Sequence, residues 1–153
     1  VILIVFQVVV LSIHQSVYLS NVLQETLAIM AANLYAFFDG NVYVVGNRLH
    51  AVDSKNFVFV DNDCTGLPLM ATVTAIILAL RGNKQQKIIG VICILSILFV
   101  LNLIRISHLF YVAAYAWHLF ELFHLYIWQI INFIVALVLI YGYRKRSITS
   151  RTL

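Results

Sequence analysis

Apolar and polar positions follow one another along this chain in distinct rhythms, and the rhythms divide it into elements. Residues 1–17 are an almost unbroken apolar run ending in His14, Gln15 and Ser16, which reads as a membrane span or the end of one. Across 21–38 the apolar residues recur at helical spacing among Gln24, Glu25 and Asn33, the pattern of a helix lying in the membrane interface. After Asp39 and Gly40 the period drops to two, through Val42-Tyr43-Val44-Val45, a Gly46-Asn47 turn and Arg48-Leu49-His50-Ala51-Val52, up to Val60. That alternation predicts a small β-hairpin or meander over 42–60. Its open edges cannot be left in hydrocarbon, so it belongs in water at the membrane surface. Three more apolar runs follow at 67–80, 88–104 and 125–143, and they predict spanning helices over 65–81, 88–106 and 125–143. Pro68 suits the first turn of the first of these. Residues 107–124 are more mixed, aromatic and histidine-bearing, and read as an extracytoplasmic connecting segment.

Composition fixes the solvent. Of 153 residues 63% are hydrophobic and only 10% charged, with a mean hydropathy of +0.97, far outside the range of a soluble domain. With roughly 20 apolar residues needed per span, the expectation is an all-α polytopic membrane protein of about four transmembrane helices, one domain over 1–153. The hairpin precedes the third-last span. Val1 is not a start methionine and the first run is short for a span, so residues upstream are expected to have been lost or cleaved.

Charge then orients the helices. Seven of the ten Lys and Arg fall in two places: Arg81, Lys84 and Lys87 between two apolar runs, and Arg144, Lys145, Arg146 and Arg151 after the last. Both clusters are expected to be cytoplasmic, the C-terminus included. Alternation then brings the start of span 65–81, the end of 88–106 and the start of 125–143 to the opposite face. All six acids, Glu25, Asp39, Asp53, Asp61, Asp63 and Glu121, fall on that outer side as well. The basic residues are not laid out as a groove-tracking patch, so no nucleic-acid partner is expected. The chain has no phosphate-binding glycine loop and no secreted disulfide framework.

With that topology the reactive residues collect on one membrane face. Cys64, in Asp63-Cys64-Thr65-Gly66, is expected in the first turn of a helix, where N–H groups and the dipole favour thiolate. The adjacent Asp61 and Asp63 act the other way, and Gly66 permits another backbone to come close. Cys93 lies mid-span, too far along the helix for a disulfide, and reads as a small hydrophobe. Cys64 is then a free thiol in an oxidising compartment, which points to use, although buried cysteines often have none. Arg105 stands one helical turn from Asn102 and shares its face. A fixed guanidinium there could hold a carboxylate or stabilise an oxyanion, or could simply snorkel to the headgroups. His124 is the best base for a cysteine nucleophile, with Glu121 one turn earlier to orient its ring. His108 and His118 are weaker candidates, and His14 and His50 carry no signal.

The ordered set Asp63-Cys64-Thr65-Gly66, Asn102-Leu103-Ile104-Arg105 and His124 resembles the exosortase/archaeosortase family of membrane cysteine transpeptidases. In that family a cysteine followed by a small hydroxyl residue and glycine heads one span, Asn-x-x-Arg ends the next, and a histidine precedes the last. The resemblance covers roughly residues 20–143. It implies cleavage of C-terminal sorting signals, each a short motif, a transmembrane segment and a basic tail, on exported proteins. Cys64 would form the thioester, Arg105 would stabilise or position, and His124 would protonate the leaving amine. The acyl group would pass to a lipid, a surface glycan or water. The implied location is the plasma or inner membrane with the site outside, and no cofactor or metal is expected. Two other classes compete. A zinc hydrolase could use His118, Glu121 and His124, with or without His108, which are ordinary zinc ligands but not at the HExxH spacing. A non-enzymatic scaffold subunit would need none of these residues for chemistry.

Overall fold

The computed structural model describes residues 17–38, 40–52, 56–80 and 82–149. The expected span over 1–17 lies outside them but for its last residue. Helix α1 runs Val17–Ala36, and strands β1 Val42–Val45, β2 Arg48–Ala51 and β3 Phe57–Phe59 follow. A 3-10 turn, Asn62–Cys64, leads into helix α2, Leu67–Ala79, and then the long helix α3, Lys84–Tyr115. A second 3-10 turn, Trp117–Leu119, and a π-helical turn, Leu122–Ile127, precede helix α4, Trp128–Thr149.

The alternating segment forms a meander: β1, β2 and β3 are neighbours in one antiparallel sheet. Val42 pairs with Ala51 and Val45 with Arg48, while Leu49 of β2 pairs with Val58 of β3. Gly46, at φ +61°, holds the first central place of the two-residue turn, where a II′ geometry calls for glycine. Alternation sends Leu49, Ala51 and Val58 inward, each under 10% exposed. On the outer face Tyr43, His50 and Phe57 stack in a row at 5.1 and 5.4 Å, and Arg48 lies over Phe57 and Phe59.

Two apolar cores result. In the first, Leu27, Ala28, Ala31, Ala32 and Tyr35 of α1 meet the inner face of the sheet and Ile106, Phe110 and Ala113 of α3, with Cys64 at its border. The second is a helix bundle, with Val73 and Ile77 of α2, Ile94 and Leu98 of α3, and Ala136 and Tyr143 of α4. Helix α3 serves both. Asn102 and Arg105 lie on it between Leu98, in the bundle core, and Ile106, in the sheet-covered core.

Two stretches among the described residues are long and apolar enough to cross a membrane: Lys84–Tyr115, with 32 residues, and Trp117–Arg146, with 30. Around the second core their outward faces carry Ile88, Ile89, Ile92, Val100, Ile130, Phe133 and Val138, all about half or more exposed. Such faces suit lipid rather than water. Helix α2 has 13 residues, about 20 Å at 1.5 Å per residue, short of the roughly 30 Å hydrocarbon core. Among the described residues two helices reach the length of a span and α2 falls short, so the expected count of about four spans is not confirmed.

Helix α3 also differs from expectation by running on to Tyr115 rather than stopping near 106. The polar and aromatic residues of 107–115 share the helix with a second apolar stripe, Ile106, Phe110 and Ala113, which is 1–2% exposed and packs on α1. Tyr35 meets Phe110 edge to face at 4.8 Å, and Ser107 Oγ donates to the Ala31 carbonyl at 2.9 Å. Tertiary packing, not membrane thickness, sets where this helix ends.

Candidate active site

The cysteine sits where the meander is handed over to the bundle. Asp61 caps the 3-10 turn, its carboxylate accepting from the Asn62 N–H at 2.7 Å. The Thr65 hydroxyl donates back to the Asn62 carbonyl at 2.7 Å. Gly66, at φ +70°, is the N-cap of α2, a backbone state that disfavours any other residue. Cys64 therefore lies ahead of the helix, not in its first turn, and the dipole activation expected from the sequence does not describe it. Burial pushes the thiol above its ordinary range. A backbone hydrogen bond at Asp61 and the Arg105 guanidinium pull the other way, while the Asp61 and Asp63 carboxylates add to the rise.

Asn102 locks that turn from α3. Its side-chain amide donates to the Cys64 carbonyl at 2.9 Å, and it is 4% exposed. Gly66 makes room for it: a Cβ at position 66 would stand 3.2 Å from the Asn102 Cγ and Oδ1. The close approach foreseen at Gly66 is made by this side chain rather than by a backbone. One turn on, Arg105 is 6% exposed, so it does not reach out to the headgroups as a snorkelling arginine does. Its Nε is fully buried and has no hydrogen-bond partner among the described residues. A buried donor left in this state costs on the order of 1–3 kcal/mol. The guanidinium lies close enough to act electrostatically on both Cys64 and His124.

His124 comes from the third direction. Its Nε2 is 3.9 Å from Cys64 Sγ, and its ring stacks on Phe120 at 5.5 Å, with Phe120 stacked in turn on Trp117. It belongs to the π-helical turn Leu122–Ile127. Such turns insert one residue into a helix, re-aim the side chains around it, and recur at functional sites. Trp117, His118, Phe120, Glu121, His124 and Leu125 line an adjoining cavity of about 480 Å³.

The residues singled out in the sequence divide accordingly. Cys64, Asn102, Arg105, Gly66 and His124 converge. Glu121 shares the cavity with His124 but makes no hydrogen bond to it, so it does not orient the ring as expected. His118 lies on the same cavity, and His108 is engaged elsewhere, accepting from the Trp128 indole N–H at 3.2 Å. Among the described residues no group of three or more His, Cys, Asp or Glu is gathered to hold a metal ion, so His118, Glu121 and His124 do not form the ligand set a zinc hydrolase needs. Cys64 and Cys93 are both free, Cys93 on the exposed outer side of α3 rather than in a core. Sequence reasoning assigned no site role to Gln24 of α1, Asn47 of the β1–β2 turn or Asn62 of the cysteine turn, whose side chains tie the three together. The one hint was a glutamine on the apolar stripe of an otherwise amphipathic helix.

No curated protein and no solved structure matches the chain. A family model described as transmembrane exosortase matches residues 1–142 of the 153, a stretch that includes Cys64, Asn102, Arg105 and His124. The family is one of membrane proteins, in keeping with the two long apolar helices. Matched over nearly its whole length, the chain belongs to the transmembrane exosortase family.

Proposed function

We propose that this chain is a membrane cysteine protease or transpeptidase that removes C-terminal sorting signals from exported proteins. Cys64 is the nucleophile, His124 the proton carrier and Arg105 the electrostatic partner of the reacting oxygen. One observation carries the reading: Cys64 Sγ stands 3.9 Å from His124 Nε2, beside a buried arginine whose Nε has no partner among the described residues. Contacts of this kind are commonly long before substrate binds and tighten in the complex.

The chemistry follows from those positions. The thiol is held protonated by burial, so His124 Nε2 takes its proton as sulfur attacks the scissile carbonyl. The carbonyl oxygen gains negative charge as the C–S bond forms, and Arg105 supplies the donor and the positive charge for it. Collapse breaks the C–N bond, His124 returns the proton to the departing amine, and a Cys64 thioester remains. A lipid, glycan or water nucleophile then gives its proton to His124, attacks the thioester and expels the cysteine sulfur, which takes that proton back from His124 to restore the thiol. Asn102 and Gly66 hold the Cys64 backbone in place during both halves. Basic residues at the other end of α3 and α4 support an orientation with this site outside the plasma or inner membrane and the C-terminus inside.

The test is co-expression with exported proteins of the same genome that end in a transmembrane segment and basic tail, comparing the intact chain with Cys64→Ala by mass spectrometry. Tail loss that depends on Cys64 is expected, and the mass added to the product identifies the acceptor. Tail loss that persists without Cys64 overturns the mechanism.

A further inference from the structure

The turn that carries Cys64 is gripped from α1 by a closed ring of side chains that the chemistry above does not use. Asn62, two residues before Cys64, offers its Oδ1 to two donors, the Ser20 hydroxyl and the Gln24 amide, the latter at 2.7 Å. The Gln24 amide also donates to Ser20 Oγ at 3.0 Å. Its Oε1 accepts from Asn47 Nδ2 at 2.7 Å, and Asn47, in the turn between β1 and β2, also reaches the Val60 carbonyl at 3.4 Å. Gln24 is 4% and Ser20 7% exposed. Both N–H groups of the Gln24 amide are therefore committed, and its orientation is fixed by its partners.

A buried glutamine on an apolar helix stripe is costly unless it is satisfied. Here its partners include Asn62, which begins the nucleophile turn, and Asn47, which belongs to the hairpin leading into it. The Asn62 carbonyl in turn accepts from the Thr65 N–H at 3.1 Å and from the Thr65 hydroxyl. Moving Asn62 thus moves the backbone on either side of Cys64. From α3 the same turn is held by Asn102 on the Cys64 carbonyl.

We infer that Gln24 is a positioning residue for Cys64: acting through Asn62, it sets the place of the sulfur relative to His124. Asn102 is the pivot and Gln24 the stay that stops the turn rotating about it. As a statement about catalysis this rests on Cys64 being the nucleophile. As a statement about the position of the thiol it does not.

The test uses the full chain in detergent, with Cys93 as an internal reference thiol. Gln24→Met keeps the length of the side chain and removes every polar contact of the amide. Alkylation of Cys64, buried in the intact protein, is expected to rise about tenfold relative to Cys93, while kcat for tail cleavage falls about tenfold with KM within about twofold. In the double variant Gln24→Met with Asn62→Leu the change is expected to be no larger than in the worse single one, because both break the same link. Equal changes at Cys64 and Cys93, no change at Cys64, or fully additive effects each overturn the proposal. If Gln24→Met does not fold, Asn47→Ala removes the outer anchor of Gln24 together with the longer Val60 contact, and a smaller shift in the same direction is expected; no shift overturns the proposal. Absence of tail cleavage by the intact chain counts against the transpeptidase reading, whereas the alkylation ratio still decides the role of Gln24.

Discussion

Cys64 is 8% exposed, and burial is the first cause of its raised pKa. The resting group is therefore a thiol rather than half of a thiolate–imidazolium pair. Alkylation of Cys64 by a small neutral reagent is expected to keep climbing with pH through and beyond the ordinary thiol value of about 8.5; a plateau near neutrality would contradict this. The sign for stability follows by linkage. With the folded pKa raised, the contribution of this thiol is fully present below the ordinary value and is lost as the pH rises through the folded one, because the unfolded chain gives up its proton first. Arg105 makes a separate prediction. If its guanidinium meets the oxyanion, Arg105→Gln should lower kcat by about 10²–10³ with little change in KM, read by the rate of tail release. A change confined to KM would assign it to substrate binding instead. The three candidates were legible in the sequence because each is marked by residue type and order: a Cys before Thr and Gly, an Arg one turn from an Asn, and a His before the last apolar run. The burial of the thiol was not legible, since it comes from α1 and α3 closing over the turn.

At the scale of elements, what positions the site is a set of irregular joints between helices. Gly66 is the sharpest, with φ +70° and the Asn102 side chain where a Cβ would go. Gly66→Ala is expected to cost about 1–2 kcal/mol from the backbone alone, more where Asn102 must yield, seen as a lowered unfolding midpoint in detergent; an unchanged midpoint would contradict the cap. The π-helical turn around His124 is the second joint. Neither it nor the 3-10 turn at Cys64 can be read from hydropathy, because each departs from regular periodicity by a single residue. The Gln24 and Asn62 pairing spans 38 positions and leaves no local trace. The meander, by contrast, was visible because alternation, Gly46-Asn47 and β-branched residues all agree.

For the molecule as a whole, α3 is the axis. Its first half packs in the lipid-facing bundle and its last part in the sheet-covered core, and Asn102 and Arg105 stand where the two meet. The bundle half is tightened at Gly90, where an added Cβ would come within 2.4 Å of the Tyr143 ring. Gly90→Leu should therefore part α3 from α4 and destabilise the protein by about 1–3 kcal/mol, measured by unfolding in detergent, and unchanged stability would contradict that contact. Hydropathy marked the two long apolar helices, yet it placed the end of α3 too early, because packing against α1 outweighs the polar residues of 107–115. Cys64, Arg105 and His124 come together only through that arrangement, and they are expected to act as one unit on an acyl group. The most direct test is to incubate the purified chain with a peptide carrying its cognate sorting signal, quench in acid, and map the adduct by mass spectrometry. The account predicts a hydroxylamine-labile acyl thioester on Cys64 that forms in the intact chain and is lost in His124→Ala. An adduct on another residue, or cleavage with no covalent intermediate and undiminished in Cys64→Ala, would contradict it.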